Sequence, residues 1–220
     1  MLVAREDLYK YISPTTVEKG VKIYEFKVTL RKTTPTVERQ ILVQGDYTLE
    51  QLGRVAACAI GWHRKPFDLI DTDGTIMKGD RPWGHDHNRY DTDSEDETDS
   101  NEPDEGETKR KLARKIYISD HFVRQKKRLV MDYDKYRWIH DIRLVKTQDR
   151  DRKHYPKCIG GKNACPPYGC GPPEEYNSFL KSLKDPKHKD HINTKFFLNM
   201  SGQAKFNPTK FKASAVVFPN

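Results

Sequence analysis

No run of about twenty apolar residues occurs in the 220-residue chain, so no bilayer-spanning helix and no membrane partner are expected. The N-terminus, MLVAREDLYKYISP, sets charges inside what would be the apolar segment of a secretion signal, so a cytoplasmic or nuclear/nucleoid protein is expected, not a secreted one. Cysteine is scarce: the four residues include no Cys-x-x-Cys pair, and in an unsecreted chain they argue against a disulfide framework and for buried or metal-bound thiols. The sequon Asn199-Met200-Ser201 carries no weight outside a secretory route. No internal repeat is present. Apolar residues are also sparse, 35% against 33% charged with a mean hydropathy of -0.90, which leaves enough for one core but not for folding the whole chain.

Acids are unevenly spread. Ten lie between Asp91 and Glu107 with no base among them, so the remaining residues hold 40 Lys and Arg against 22 Asp and Glu, a balance of +18. Such a body attracts polyanions, because contacts from Lys and Arg to phosphate release condensed counterions. Solubility alone also accounts for the charge, and the acidic run is a potential intramolecular competitor for the basic face.

Residues 1–20 read as an N-terminal arm. From Val21 to Lys32, apolar Tyr24, Phe26, Val28 and Leu30 alternate with Glu25, Lys27, Thr29 and Arg31, which predicts a half-buried strand. A second run with Val37, Ile41 and Val43 predicts its antiparallel partner. In Thr48-Leu49-Glu50-Gln51 the Thr hydroxyl and Gln side chain can satisfy orphan amides, and Leu49, Leu52, Val55, Ala56, Ala59 and Ile60 follow at helical spacing up to Gly61. A short strand at 67–70 and a turn at Asp73-Gly74 come next. Residues 78–111 lack periodicity and read as a disordered acidic insertion. Strands are expected over 115–119, 128–133 and 137–146, and an irregular Gly, Pro and Cys segment over 147–172. Pro172-Pro173-Glu174-Glu175 opens a helix burying Tyr176, Phe179, Leu180 and Leu183, and a short helix near 188–198 precedes a basic tail, 201–220. The expected fold class is α+β, a single domain over 21–200 with an antiparallel sheet packed against two main helices.

Four stretches, YEFKVTLRKTTPTVERQILV, DYTLEQLGRVAACAIGW, MDYDKYRWIHDIRLVK and YPKCIGGKNACPPYGCGPPEEYNSFLKSLKDPKHKDH, together resemble the family named for open reading frame three of plasmid pRiA4b. The last is the most specific: Pro156, Cys158, Gly160, Cys165-Pro166-Pro167, Gly169, Gly171 and Tyr176 follow the family's order. The chain departs at Tyr168-Gly169, where the family usually has Glu-Asp, and at Lys135-Tyr136-Arg137, where it has a Gly and two acids, so two candidate carboxylates are missing. The resemblance implies a mobile-element or viral accessory context and supplies no reaction. Some members are labelled resolvases, but a serine resolvase needs a nucleophilic Ser ringed by Arg, and Ser13 is followed by Pro14 with only Arg5 nearby.

The candidate metal ligands are His154, Cys158, Cys165 and Cys170, which could hold a structural zinc that braces the irregular segment; buried thiols or a local disulfide are the competing reading. Asp132, Asp134, His140 and Asp141 raise a metal-dependent nuclease, against ordinary polar strand residues, and His85-Asp86-His87 reads as a solvated tract. For nucleic acid the candidates are Arg64 and Lys65 after Trp62, then Arg124, Lys126, Lys127 and Arg128 before a strand, and Lys181 and Lys184 on the Tyr176 helix. A buried Trp62 beside a solvated basic turn fits as well. The expected function is a non-enzymatic accessory or interaction protein of a mobile element or virus, binding nucleic acid through a basic face. The alternatives are the nuclease and an effector docking a protein partner through its acidic loop.

Overall fold

The fold is taken from a computed structural model that describes residues 21–62, 65–79, 110–122, 128–151 and 154–218. The alternating segments pair as strands: β1 (Lys22–Leu30), β2 (Glu38–Gln44), β3 (Phe67–Ile70), β4 (Ile76–Lys78), β5 (Arg110–Leu112), β6 (Arg128–Tyr133), β7 (Trp138–Asp149) and β8 (Lys157–Lys162). They form one eight-stranded sheet in the order β5-β4-β3-β6-β7-β1-β2-β8. Neighbours are antiparallel except β4 and β5, which run parallel, so the α+β architecture carries a mostly antiparallel, mixed sheet.

Helix α1 (Leu49–Ile60) begins at the capping box: the Thr48 amide donates to Gln51 Oε1 at 2.8 Å and the Gln51 amide to Thr48 Oγ1 at 3.2 Å. It ends at Gly61, whose φ of 116° suits a residue without a Cβ. Gly53 lets the helix lie on the sheet, since a Cβ there would stand 2.3 Å from the Phe67 ring. Helices α2 (Ile118–Phe122) and α3 (Pro173–Lys184) place Phe122 and Tyr176 in the same buried cluster as Phe26, Leu69, Met131 and Trp138. Helix α4 (His191–Met200) packs on α3, where the Ser182 and Thr194 hydroxyls meet at 2.6 Å. No helix among the described residues is long and apolar enough to cross a membrane.

Several sequence expectations change. Of the four α-helices among the described residues, α1 and α3 are the two main ones expected, α4 is the short one expected near 188–198, and α2 was not expected. The strand expected at 115–119 is instead a 3-10 turn at Ala113–Lys115, a single bridge from Tyr117 to Thr48, and the start of α2. Its donors are satisfied by the loop before α1: the Ile118 amide donates to the Tyr47 carbonyl at 2.8 Å and Ser119 to Gly45 at 2.9 Å. The ends of the expected insertion, Lys78 and Arg110-Lys111, are strand residues paired in parallel; its residues 80–109 and the N-terminal arm lie outside the described residues. The segment expected to be irregular from 147 is ordered at its start, because β7 extends to Asp149 and residues 157–162 add β8 to the edge of β2.

One buried cation ties these parts together. Arg39, 2% exposed, donates from Nε to the Ala59 carbonyl at 2.8 Å and from Nη2 to Ile60 at 3.2 Å, capping the end of α1. Its Nη1 reaches the carbonyls of Lys162 at 2.8 Å and Asn163 at 3.0 Å at the end of β8, and the guanidinium lies 3.7 Å from the centre of the Phe211 ring. Burial lowers its pKa to about 10, so it stays charged at neutral pH. Phe206 and Phe218 pack on the main core beside Phe211, which docks the C-terminal tail.

Candidate functional site

Residues directly opposite on neighbouring strands point to the same face of a sheet. Register therefore sets Arg128 of β6 beside Arg143 of β7, and Arg143 beside Lys27 of β1. Three cations stand in one row with roughly 5 Å between neighbouring Cβ atoms, an arrangement that costs stability because like charges are directly opposed. They occupy the face away from the core, since Phe26, Val28, Leu129 and Ile142, the neighbours on either side, are all buried.

Two carboxylates partly offset the row. Asp141 receives Arg31 in a fork, Nε to Oδ2 at 2.9 Å and Nη2 to Oδ1 at 2.7 Å, and also receives Arg128. Partial burial pushes the Asp141 carboxyl up, but the hydrogen bonds from Arg31 and Arg128 outweigh it and hold the carboxyl below its usual range. Glu38 pairs with Lys27 at 2.9 Å and Lys162 at 3.5 Å, and its carboxyl is held low chiefly by the Lys27 hydrogen bond. Five bases thus face two acids, and exposed Arg143 has no carboxylate partner among the described residues. Forked guanidiniums in a cationic row are suited to phosphate oxygens.

The residues singled out in the sequence do not share one face. Arg128 joins the row; Lys65 lines a cleft on the core side of the sheet; Lys181 and Lys184 are exposed in the last turn of α3, where a cation favours the helix dipole. Arg64, Arg124, Lys126 and Lys127 lie outside the described residues. Register reveals what sequence reading omitted. Lys27, Arg31 and Arg143 were visible as the polar half of two alternating strands, but their lateral alignment depends on pairing between β1, β7 and β6.

The nuclease carboxylates are already engaged. Asp132 holds Arg137 at 2.7 Å, Asp141 holds two arginines, Asp134 sits in the β6–β7 turn, and His140 points into the core. The spacing His-x-x-Arg used by tyrosine recombinases occurs at His140 to Arg143, but alternation sends the two to opposite faces; in the second instance, His121 to Arg124, the Arg lies outside the described residues. Among the metal candidates, His154 is exposed before β8, Cys158 is on β8, Cys165 lies against Gly61 and Cys170 lines the cleft. No group of three or more His, Cys, Asp or Glu that could hold a metal ion forms among the described residues. The four cysteines are free thiols, and burial raises each of them, Cys58 to about 11 and Cys170 to about 12, which keeps them protonated and poorly nucleophilic at neutral pH.

Three comparisons bear on this arrangement. The sequence model of the family described as Plasmid pRiA4b ORF-3-like protein matches residues 22–215. The uncharacterized protein y4hQ of Sinorhizobium fredii (strain NBRC 101917 / NGR234) is 25% identical over 175 residues, 78% of each chain. The crystal structure of MM3350 from Methanosarcina mazei Go1, a protein of unknown function, matches with a TM-score of 0.70 at 24% identity, covering 91% of this chain and 100% of that one, and shares its fold.

Proposed function

The chain belongs to the plasmid pRiA4b ORF-3-like family, and on that footing we propose that it is a non-enzymatic accessory protein of a mobile element that binds nucleic acid through the open face of its sheet. The observation that carries this reading is the Arg128, Arg143 and Lys27 row. A row of opposed cations lowers stability, and an anionic chain laid across three strands would relieve it by replacing cation repulsion with contacts to phosphate. The +18 balance outside the acidic run supplies the long-range attraction. The non-enzymatic part is supported by the commitment of Asp132 and Asp141 to arginines and by the protonated state of the thiols.

The test is binding of labelled duplex and single-stranded DNA across a salt series. The native protein should show affinity falling steeply with salt, and Arg143→Glu should weaken binding for all sequences alike and flatten the salt dependence by about one unit of slope. Unchanged binding by Arg143→Glu together with Arg128→Glu would remove the open face from the function.

A further inference from the structure

The open face of the sheet is walled on one side. Along β1 and β2 from the Lys27 position of the row, Glu25 stands opposite Leu42 and then Ile23 opposite Gln44. Ile23 and Leu42 point away from the main core, because Tyr24, Ile41 and Val43 on the alternating positions belong to it. They are buried all the same: Tyr155, from the loop between β7 and β8, closes on them as a separate small cluster. The Tyr155 hydroxyl donates to Asp151 within that loop at 2.7 Å. The base of this ridge is cationic. Exposed Lys157 stands opposite Leu42, and exposed Lys146 stands opposite Glu25 and pairs with it at 3.4 Å.

The row runs along the foot of the ridge as a shelf open at both ends. Past Lys27 it continues through Gln40 to Gly160 at the edge of the sheet, where no side chain rises. Past Arg128 it meets no further strand, because β3 ends opposite Val130. Its floor crosses five strands, roughly 19 Å at the usual strand spacing. Neither this floor nor the next row, Val130, Asp141, Thr29 and Glu38, carries an aromatic side chain, and the Tyr155 ring of the ridge is only 3% exposed. The face offers charge along a line and nothing on which a base could stack.

We propose that the ligand of the open face is double-stranded, a DNA or RNA duplex lying along the row against the Tyr155 ridge and held through its phosphates alone. This rests on the open-face reading and narrows it. Proteins that hold single strands stack the bases on aromatic rings, and that gain offsets the cost of ordering a flexible chain. With no ring on offer, the cost is not met. A DNA duplex is stiff before it binds, with a persistence length of roughly 50 nm, and it carries one charge per ~1.7 Å against ~3.4 Å for one strand. The same cations therefore reach more phosphates and release more counterions. Arg128, Arg143 and Lys27 meet the backbone from below, and Lys157 meets it from the side.

The experiment is a competition on the full chain. A short labelled DNA duplex is displaced by unlabelled duplex DNA, duplex RNA, either single strand, or inorganic polyphosphate, all compared at equal phosphate concentration. A duplex of any sequence should displace the label at roughly a tenth of the phosphate that a single strand or polyphosphate needs, and the stronger of the two duplexes identifies the source. Lys157→Glu, at an exposed position, should keep its thermal midpoint, bind duplex about tenfold more weakly and lower the salt slope by about one unit. Lys195→Gln, on α4 at the helix side of the sheet, should change neither. Single strands or polyphosphate that compete as well as duplexes, or native duplex affinity in Lys157→Glu, would overturn the proposal. The two readings fail differently: no binding of any nucleic acid at low salt removes the open face itself, whereas single-strand binding that Arg143→Glu abolishes keeps the open face and removes the duplex.

Discussion

On one face of the sheet Phe26, Leu69, Met131 and Trp138 lie beneath helices, and on the other Lys27, Asp141 and Arg143 meet solvent, although the same strands supply both. The buried face is built mainly from apolar contact, and among its few polar groups Arg39 donates to carbonyls and His140 accepts from Trp62. The open face is built from charges that compensate one another only in part. A change on the first face should therefore be read in stability, and a change on the second in binding.

The largest effect is expected at Arg39. Arg39→Ala strips the carbonyls of Ala59, Ile60, Lys162 and Asn163 of their donor and removes the surface on which Phe211 lies, and should cost roughly 3–5 kcal/mol in denaturant unfolding. Arg39→Lys should recover only part of this, since one ammonium cannot serve both the end of α1 and the end of β8. Denaturation curves of the two variants that coincide with the native protein would show that the buried face does not depend on this cation.

The next effect concerns pH. Burial lowers the His140 pKa from its ordinary 6.5 to about 4, so between these values the unfolded chain takes up a proton that the folded protein refuses. Stability should be fully retained above pH 6.5 and fall on acidification toward pH 4, by on the order of 3 kcal/mol for a shift of this size. His140→Asn should flatten that slope. Unfolding midpoints measured across this pH range for both proteins decide the point.

A smaller loss is expected for Gly53→Ala, whose new methyl would meet the Phe67 ring and push α1 off the sheet, at about 1–3 kcal/mol by thermal or denaturant melting. The smallest effect has the opposite sign. Arg143→Thr removes the middle cation from the row and should raise stability by about 0.2–1 kcal/mol while weakening DNA binding, a pairing of outcomes that no buried-face substitution should reproduce. If this variant is less stable than the native protein, the row is not an electrostatic burden and the two faces do not divide stability from binding.

Local signals were legible wherever a short segment carries its own physics. The Thr48 box, the Gly61 stop, the residues of β6 and the proline-led start of α3 appear where the sequence placed them. Tyr117 and Ile118 misled because a β-branched, aromatic pair suits a strand, yet their amide partners are carbonyls supplied by the loop before α1. Cys158 and Gly160-Gly161 misled in the other direction: a glycine-rich run has little strand preference of its own and is a strand only because the edge of β2 is there to pair with it.

The same division holds for function. The sequence by itself determined the alternation that puts Lys27, Arg31, Arg128 and Arg143 on polar positions and the excess of base over acid in the body, because these depend on composition and on a period of two. Only the tertiary structure decided that Arg128, Arg143 and Lys27 form one row and that Lys65 belongs to a different surface. Each of these rests on strand register or loop docking between segments far apart in the chain, and pairing energies of that kind are settled by the whole sheet and not by any one strand.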